Sequence, residues 1–178
     1  MLEVRNLSVH FRTYSRGLRR TTSCTIRSLD LAVEAGQVVA IVGQSGAGKS
    51  LLAHAVLGIL PGNASVSGDV FYKNTRLTPG KAKRIRGREI ALIPQSVAFL
   101  NPLLQVGAQV ARAGRLNGLS PREARKAARL ALERYGLSLQ VSKWFPFQLS
   151  GGMARRVLTA TATVGSSHLI FADEPTNG

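Results

Sequence analysis

The stretch Val38 to Val42 (VVAIV) runs directly into Gly43 to Ser50 (GQSGAGKS), and an apolar segment, Leu51 to Leu57, follows. Val38 to Val42 is wholly apolar and almost all β-branched, which reads as a short strand buried on both faces. The next eight residues carry Gly43, Gly48, Lys49 and Ser50 in the register of a phosphate-binding loop. Each residue type has a physical task there. Glycines let backbone N–H groups curl around an anion, and a helix beginning near Lys49 turns its positive dipole end toward it. Lys49 adds a point charge for terminal phosphate oxygens, and the Ser50 hydroxyl is of the type that ligates Mg²⁺. A glycine-rich turn without a ligand is the plain alternative. The strand before the loop and the helix after it favour the phosphate reading.

Around this core the chain is ordinary in size: 178 residues, 44% hydrophobic and 19% charged, enough for one domain with a continuous core. The longest apolar stretch, Leu51 to Leu60, is about half of what a bilayer crossing needs and contains His54, so no membrane span is expected. Charges lie within Met1 to Phe11 where a signal peptide needs its apolar region, so export is not expected. The single cysteine, Cys24, excludes an internal disulfide framework and any multi-cysteine metal cluster, and a reducing, cytoplasmic setting fits best. Lysine and arginine number 24 against 9 acidic residues, a net charge of +15. The bases gather at Arg12 to Arg27, Lys81 to Arg88 and Arg122 to Arg134, without the interleaved aromatics that stacking on single strands requires. A solvated basic surface is the simpler reading than a nucleic-acid site.

Local signals divide the chain into elements. Leu2 to Phe11 alternates as a strand, Arg12 to Thr25 reads as a basic connection, and Ile26 to Val33 reads as a half-buried strand. A helix over Lys49 to Leu57 is ended by Gly58, and Ser67 to Tyr72 and Ile90 to Ile93 are further strands. Val106 to Tyr135 reads as helical. Within it, Ser120 with Pro121 and Glu123 makes a capping box, Ala124, Ala128, Ala131 and Tyr135 form one inward stripe, and Gly136 is the stop. A helix from Gly151 to about Val164 and a buried strand from Leu169 to Ala172 close the series. A strand, a glycine loop, a helix and a later apolar strand ending in acid make an α/β pattern with a parallel sheet.

That last strand, within Leu169 to Glu174 (LIFADE), delivers Asp173 at its C-terminal end, where parallel sheets place ligands. Asp173 is the candidate to hold Mg²⁺ through water, and Glu174 the candidate to orient or deprotonate an attacking water. Alone, such a strand often simply leaves the core. The phosphate loop upstream gives it the catalytic reading.

Leu149 to Met153 (LSGGM), preceded by Pro146 to Gln148, closely resembles the signature motif of the ABC ATPases. Gln95, two residues after the Ile90 to Ile93 strand, matches their Q-loop glutamine, and Asp173 to Thr176 (DEPT) matches their second Walker motif. The order of these motifs resembles that family from Leu2 to Gly178. The resemblance implies a P-loop NTPase with a RecA-like parallel core sheet, an N-terminal antiparallel β subdomain and an inserted α-helical subdomain. It implies one domain over residues 1–178: an ATP-binding core with the β subdomain over 1–95, a helical subdomain over 96–150, and the signature helix with the second Walker strand over 151–178. ATP would be held by Gly43, Gln44, Ser45, Gly46, Ala47, Gly48, Lys49, Ser50 and Leu51, and Mg²⁺ by Ser50, Gln95 and Asp173. Ser150, Gly151 and Gly152 open a helix, a second anion-binding terminus, which in this family closes on the ATP of a head-to-tail partner. Glu174, Gln95 and Lys49 are the implied catalytic set. For the aromatic that stacks on adenine the candidates are Tyr14 and Phe11, with Tyr14 favoured. His10 and His54 read as structural, and Trp144 and Phe145 as packing in the helical subdomain.

Ile93 to Ser96 (IPQS), Phe99 to Pro102 (FLNP) and Phe147 to Met153 (FQLSGGM) resemble the peptide and nickel uptake branch of bacterial importers. Met153 to Arg156 (MARR) departs from the Gln-Arg run common after the signature, and Thr176 to Gly178 (TNG) resembles a variant among nickel or metallophore importers. The resemblance implies an ATP-binding subunit at the cytoplasmic face of the inner membrane, attached peripherally. Its partners would be a second ABC ATPase subunit (identical or different), transmembrane permease subunits and, indirectly, a solute-binding protein. The Thr176 to Gly178 variant favours a metal or metal chelate over a peptide as the cargo. The alternative is a soluble ABC ATPase acting on nucleic acid or the ribosome; against it, the Gln95-to-signature interval has no room for a long coiled coil. In this family the D-loop aspartate and switch histidine follow the DEPT motif, and the next strand lies between the two Walker strands. Residues 1–178 alone are therefore expected to be poorly stable and without ATPase activity.

Overall fold

The structure, a computed structural model, describes residues 1–14, 20–44 and 46–174, with the side chains of Tyr14 and Arg20 outside that set. The backbone forms two units, Met1–Arg84 and Ile85–Gly178. In the first, Leu2, Val4, Leu7 and Val9 are buried along β1 (Leu2–Tyr14). The buried face switches from even to odd positions at Asn6, whose φ of +49° accompanies a register shift against β2 (Arg20–Val33). One extra residue inverts the alternation, which is what a β-bulge does. β1 pairs antiparallel with β2 on one side and β3 (Ala64–Tyr72) on the other, and β4 (Thr75–Arg76) extends the sheet in the order β2-β1-β3-β4.

Two expectations fail in this unit. Arg12 to Thr25 is mostly strand: Arg12 pairs with Thr22, Thr13 with Thr21 and Tyr14 with Arg20. Arginine and threonine sit comfortably on the solvated faces of an antiparallel ribbon, so polarity there did not signal a loop. The second failure is Val38 to Val42, which forms no strand. Val38 is 96% exposed and Val42 91% exposed, and no described residue pairs with the segment. Apolar β-branched residues favour a strand, but its backbone groups need a ladder partner, which composition does not supply.

The helix expected after the loop forms as α1 (Lys49–Leu57), with Leu52, Ala53, Val56 and Leu57 buried and Gly58 in the left-handed region as its stop. A second helix, α2 (Pro79–Ile85), had no strong signal; Ala82 is its one buried residue.

In the second unit, β5 (Ile90–Ile93) and β6 (Leu169–Ala172) pair in parallel from Ile90–Leu169 to Ile93–Ala172. β6 is less buried than its apolar sequence indicates, with Ile170 41% exposed, because β5 is its sole strand partner among the described residues. Three helices, α3 (Val106–Leu116), α4 (Pro121–Arg134) and α5 (Gly151–Thr163), enclose a core that includes Val106, Val110, Ala128, Leu132, Val141 and Val157. The capping box is present on both sides: Glu123 N–H donates to Ser120 Oγ, and Ser120 N–H donates to the Glu123 carboxylate. Ala131, Tyr135 and Trp144 pack against this core as expected. Phe145 instead stacks on the exposed Phe147, with ring centroids 5.7 Å apart. Among the described residues no helix is long and apolar enough to cross a membrane.

Candidate functional site

The phosphate-loop sequence lies in the first unit, between Val42 and α1. Gly48 opens the helix with φ +90°, and a Cβ there would stand 3.1 Å from Ile26 Cγ1 of β2. Two constraints, handedness and the close approach of β2, therefore select glycine at this point. No side chain caps α1 and no acid lies in its first turn. The end that ordinarily takes an Asp or Ser cap thus keeps its dipole and first-turn N–H groups for an outside anion. The Lys49 ammonium donates to Gly43 O at 2.8 Å and Gln44 O at 2.9 Å, folding the loop around its own cation. Gly43, Gln44, Gly46 and Ala47 are exposed, while Ser50 and Leu51 are half-buried. Ser45 lies outside the described residues.

The second group of candidates is assembled by β5 and β6. Their parallel register sets Ile93 beside Ala172, and Asp173 N–H extends the ladder to Ile93 O at 2.9 Å. One residue further, Gln95 Nε2 donates to Glu174 Oε2 at 2.5 Å. Glu174 is left-handed, φ +47°, a conformation costing an L-residue roughly 1–2 kcal/mol and concentrated at functional sites. Pro94, Gln95 and Glu174 share a small cleft with Arg155 and Thr159 of α5.

Ser150 N-caps α5, its hydroxyl accepting from Met153 N–H at 3.3 Å. Gly151 and Gly152 are exposed, and a Cβ on either would meet nothing within 4 Å. Packing inside this chain therefore does not require glycine at those positions. Arg156 had no sequence assignment, yet it donates to Gly152 O, Tyr135 O and Gly136 O. It ties the first turn of α5 to the C-terminal end of α4, where orphan carbonyls favour a cation. The signal available was an arginine four residues after Gly152.

The structure thus brings Gln95, Asp173 and Glu174 together, with Ser150, Gly151 and Gly152 in the same unit, while Gly43 to Leu51 belong to the other. Phe11 is half-buried in β1. The Tyr14 side chain and Pro175 to Gly178 lie outside the described residues. Among the described residues no three His, Cys, Asp or Glu side chains cluster as a metal site. Gln95 and Asp173 of the second unit offer amide and carboxylate oxygens, hard donors of the kind Mg²⁺ takes alongside waters and phosphate.

The family profile described as ABC transporter matches residues 26–177. The chain is 38% identical over 186 residues to the oligopeptide transport ATP-binding protein OppD of Mycobacterium tuberculosis, covering 99% of this chain and 29% of that protein. It is 33% identical to the dipeptide transport ATP-binding protein DppD of Lactococcus lactis, covering 52% of that protein. The chain therefore spans about half or less of the length of these relatives. The dimeric structure of a post-hydrolysis state of the ATP-binding cassette MJ0796, bound to ADP and Pi, superimposes with a TM-score of 0.83 at 26% identity, over 99% of this chain and 75% of that one. With the antiparallel N-terminal sheet, the helical region and the parallel β5–β6 pair in place, the chain is an α/β P-loop NTPase and belongs to the ABC transporter family.

Proposed function

We propose that this chain is the ATP-binding part of an ABC importer subunit that hydrolyses ATP at a head-to-tail dimer interface to drive peptide uptake. The observation that carries the reading is the junction of Gln95 and Glu174 beside Asp173, at the carboxyl ends of two parallel strands. Parallel sheets bind ligands there, and an amide, a carboxylate and a second carboxylate suit γ-phosphate sensing, water positioning and metal holding.

In this reading the loop from Gly43 to Leu51 cradles the phosphates, Lys49 neutralises their terminal oxygens, and Tyr14 stacks on adenine. Ser50, Gln95 and Asp173 would hold Mg²⁺, which when bound neutralises phosphate charge. Glu174 accepts a hydrogen bond from the attacking water and orients it, with Gln95 reporting the γ-phosphate. Ser150, Gly151 and Gly152 act on the nucleotide of the partner subunit. Their exposed N-terminal turn and the open space at both glycines support that arrangement. The cargo is assigned from relatives whose names specify oligopeptide and dipeptide transport. The preference for a metal chelate came from Thr176 to Gly178, which are outside the described residues. The chain sits peripherally on the cytoplasmic face of the membrane, bound to transmembrane permease subunits through which a solute-binding protein acts. Residues 1–178 by themselves are proposed to be inactive, since among the described residues Val38 to Val42 has no strand partner and β6 has one.

The test is Mg²⁺-dependent ATP turnover by the full-length protein with its permease partners, stimulated by solute-binding protein loaded with peptide or with a nickel chelate. Stimulation by peptide alone is expected. Absence of any ATP turnover would overturn the reading, and stimulation by the chelate alone would overturn the cargo assignment.

A further inference from the structure

α4 turns two different faces outward and inward. Ala124, Ala128 and Leu132 are fully buried in the helical core, while Arg122, Arg125, Lys126 and Arg129 are all exposed. Over its length the helix carries five basic residues against two acidic ones. Of those two, Glu123 is committed to the Ser120 cap, which holds its carboxyl below the usual carboxylate range. Glu133 lies one turn beyond Arg129. The ion pairs Glu3–Arg5, Asp69–Arg76 and Glu89–His168 involve no α4 cation. Arg122, Lys126 and Arg129 recur at helical spacing, so they form one row about 10 Å long. Like charges four apart on a helix repel, and the three cations outnumber Glu133, the acid four residues beyond Arg129. Leu130, beside the row, is 57% exposed.

We propose that this face of α4 contacts an anionic lipid surface. The inference rests on the importer reading, which sets the domain beside a membrane. Four or more bases on an amphipathic helix are matched to acidic headgroups, and an exposed leucine at their margin suits the interface between headgroup and acyl chain. Nucleic acid is disfavoured because Pro121–Arg134 contains no aromatic residue on which a base could stack.

Flotation of the full-length protein with phosphatidylcholine vesicles, with and without phosphatidylglycerol, tests it. Wild-type protein should bind the phosphatidylglycerol vesicles selectively and release from them at high salt. The triple variant Arg122→Gln, Lys126→Gln, Arg129→Gln should lose about a hundredfold in vesicle affinity, at about fivefold per cation. Glutamine is a good helix former, so the melting temperature should stay unchanged. ATP turnover in detergent and co-purification with the permease, measured on the same variant, separate the two readings. Intact turnover and permease association with unchanged vesicle binding would sink the lipid contact and leave the importer standing. Lipid selectivity without permease association would leave the basic face as a lipid contact and sink the importer. Loss of duplex-DNA retention in the triple variant, with no lipid selectivity in the wild type, would reassign the face to nucleic acid.

Discussion

The amide of Gln95 donates to the carboxylate of Glu174 at 2.5 Å, joining side chains 79 residues apart in sequence. The parallel register of β5 and β6 brings their ends level, and the Asp173 N–H bond to Ile93 O keeps them so. Here the two groups assigned to the γ-phosphate and to the attacking water are bonded to each other. ATP binding, on the proposed mechanism, exchanges that contact for contacts to nucleotide and water.

Glu174→Gln should therefore keep ATP binding and stall hydrolysis, because an amide cannot accept the water's proton. The population of ATP-bound dimer in full-length protein, variant against wild type, is the measurement. Turnover at the wild-type rate would place activation of the water elsewhere.

Lys49→Ala should weaken ATP binding by roughly tenfold to a hundredfold, the range of a charge-assisted contact of about 1.5–3 kcal/mol. The loop also loses the ammonium that bridges Gly43 O and Gln44 O. Titration calorimetry with a nonhydrolysable ATP analogue reads this directly, and unchanged affinity would remove Lys49 from the site.

Gly48→Ala should destabilise the first unit and weaken nucleotide binding together. The left-handed backbone alone costs alanine roughly 1–2 kcal/mol, and Ile26 Cγ1 at 3.1 Å must also give way. A melting temperature equal to wild type would show that the loop adopts another backbone path.

For Ser150→Arg the effect should appear in trans: the variant subunit binds ATP but spoils hydrolysis at its partner's site. Mixed dimers in which one subunit carries this change and the other Lys49→Ala are the comparison. Loss of activity that tracks only a subunit's own nucleotide would rule out the head-to-tail arrangement.

Hydrogen bonds from the Ser120 hydroxyl, first, and the Ser120 backbone N–H hold the Glu123 carboxyl below its usual range. A depressed pKa means the contribution to stability is present above the unfolded value and is lost as pH falls through the folded one. Thermal melts of Glu123→Gln and wild type should thus converge on acidification below the ordinary glutamate range. A gap that persists there would assign the effect to packing instead.

The bounds of α1, the Ser120 capping box and the Ser150 cap were legible in the sequence because their causes are local. A helix bonds its own backbone four residues away, and a glycine or hydroxyl marks its end wherever the chain goes. The proposed site residues were picked out for the same reason, as short motifs with fixed internal spacing. Tertiary structure decided the rest. Arg12 to Tyr14 and Arg20 to Thr22 became strand because each found the other across a hairpin. Val38 to Val42, with a stronger strand composition, found no strand partner among the described residues. Arg156 acquired its role from the carbonyls of Tyr135 and Gly136, and Glu174 acquired its partner from Gln95, 79 residues away. A strand, like a side-chain bridge between distant elements, is completed by atoms elsewhere in the chain, and composition at one position does not say where those atoms will be.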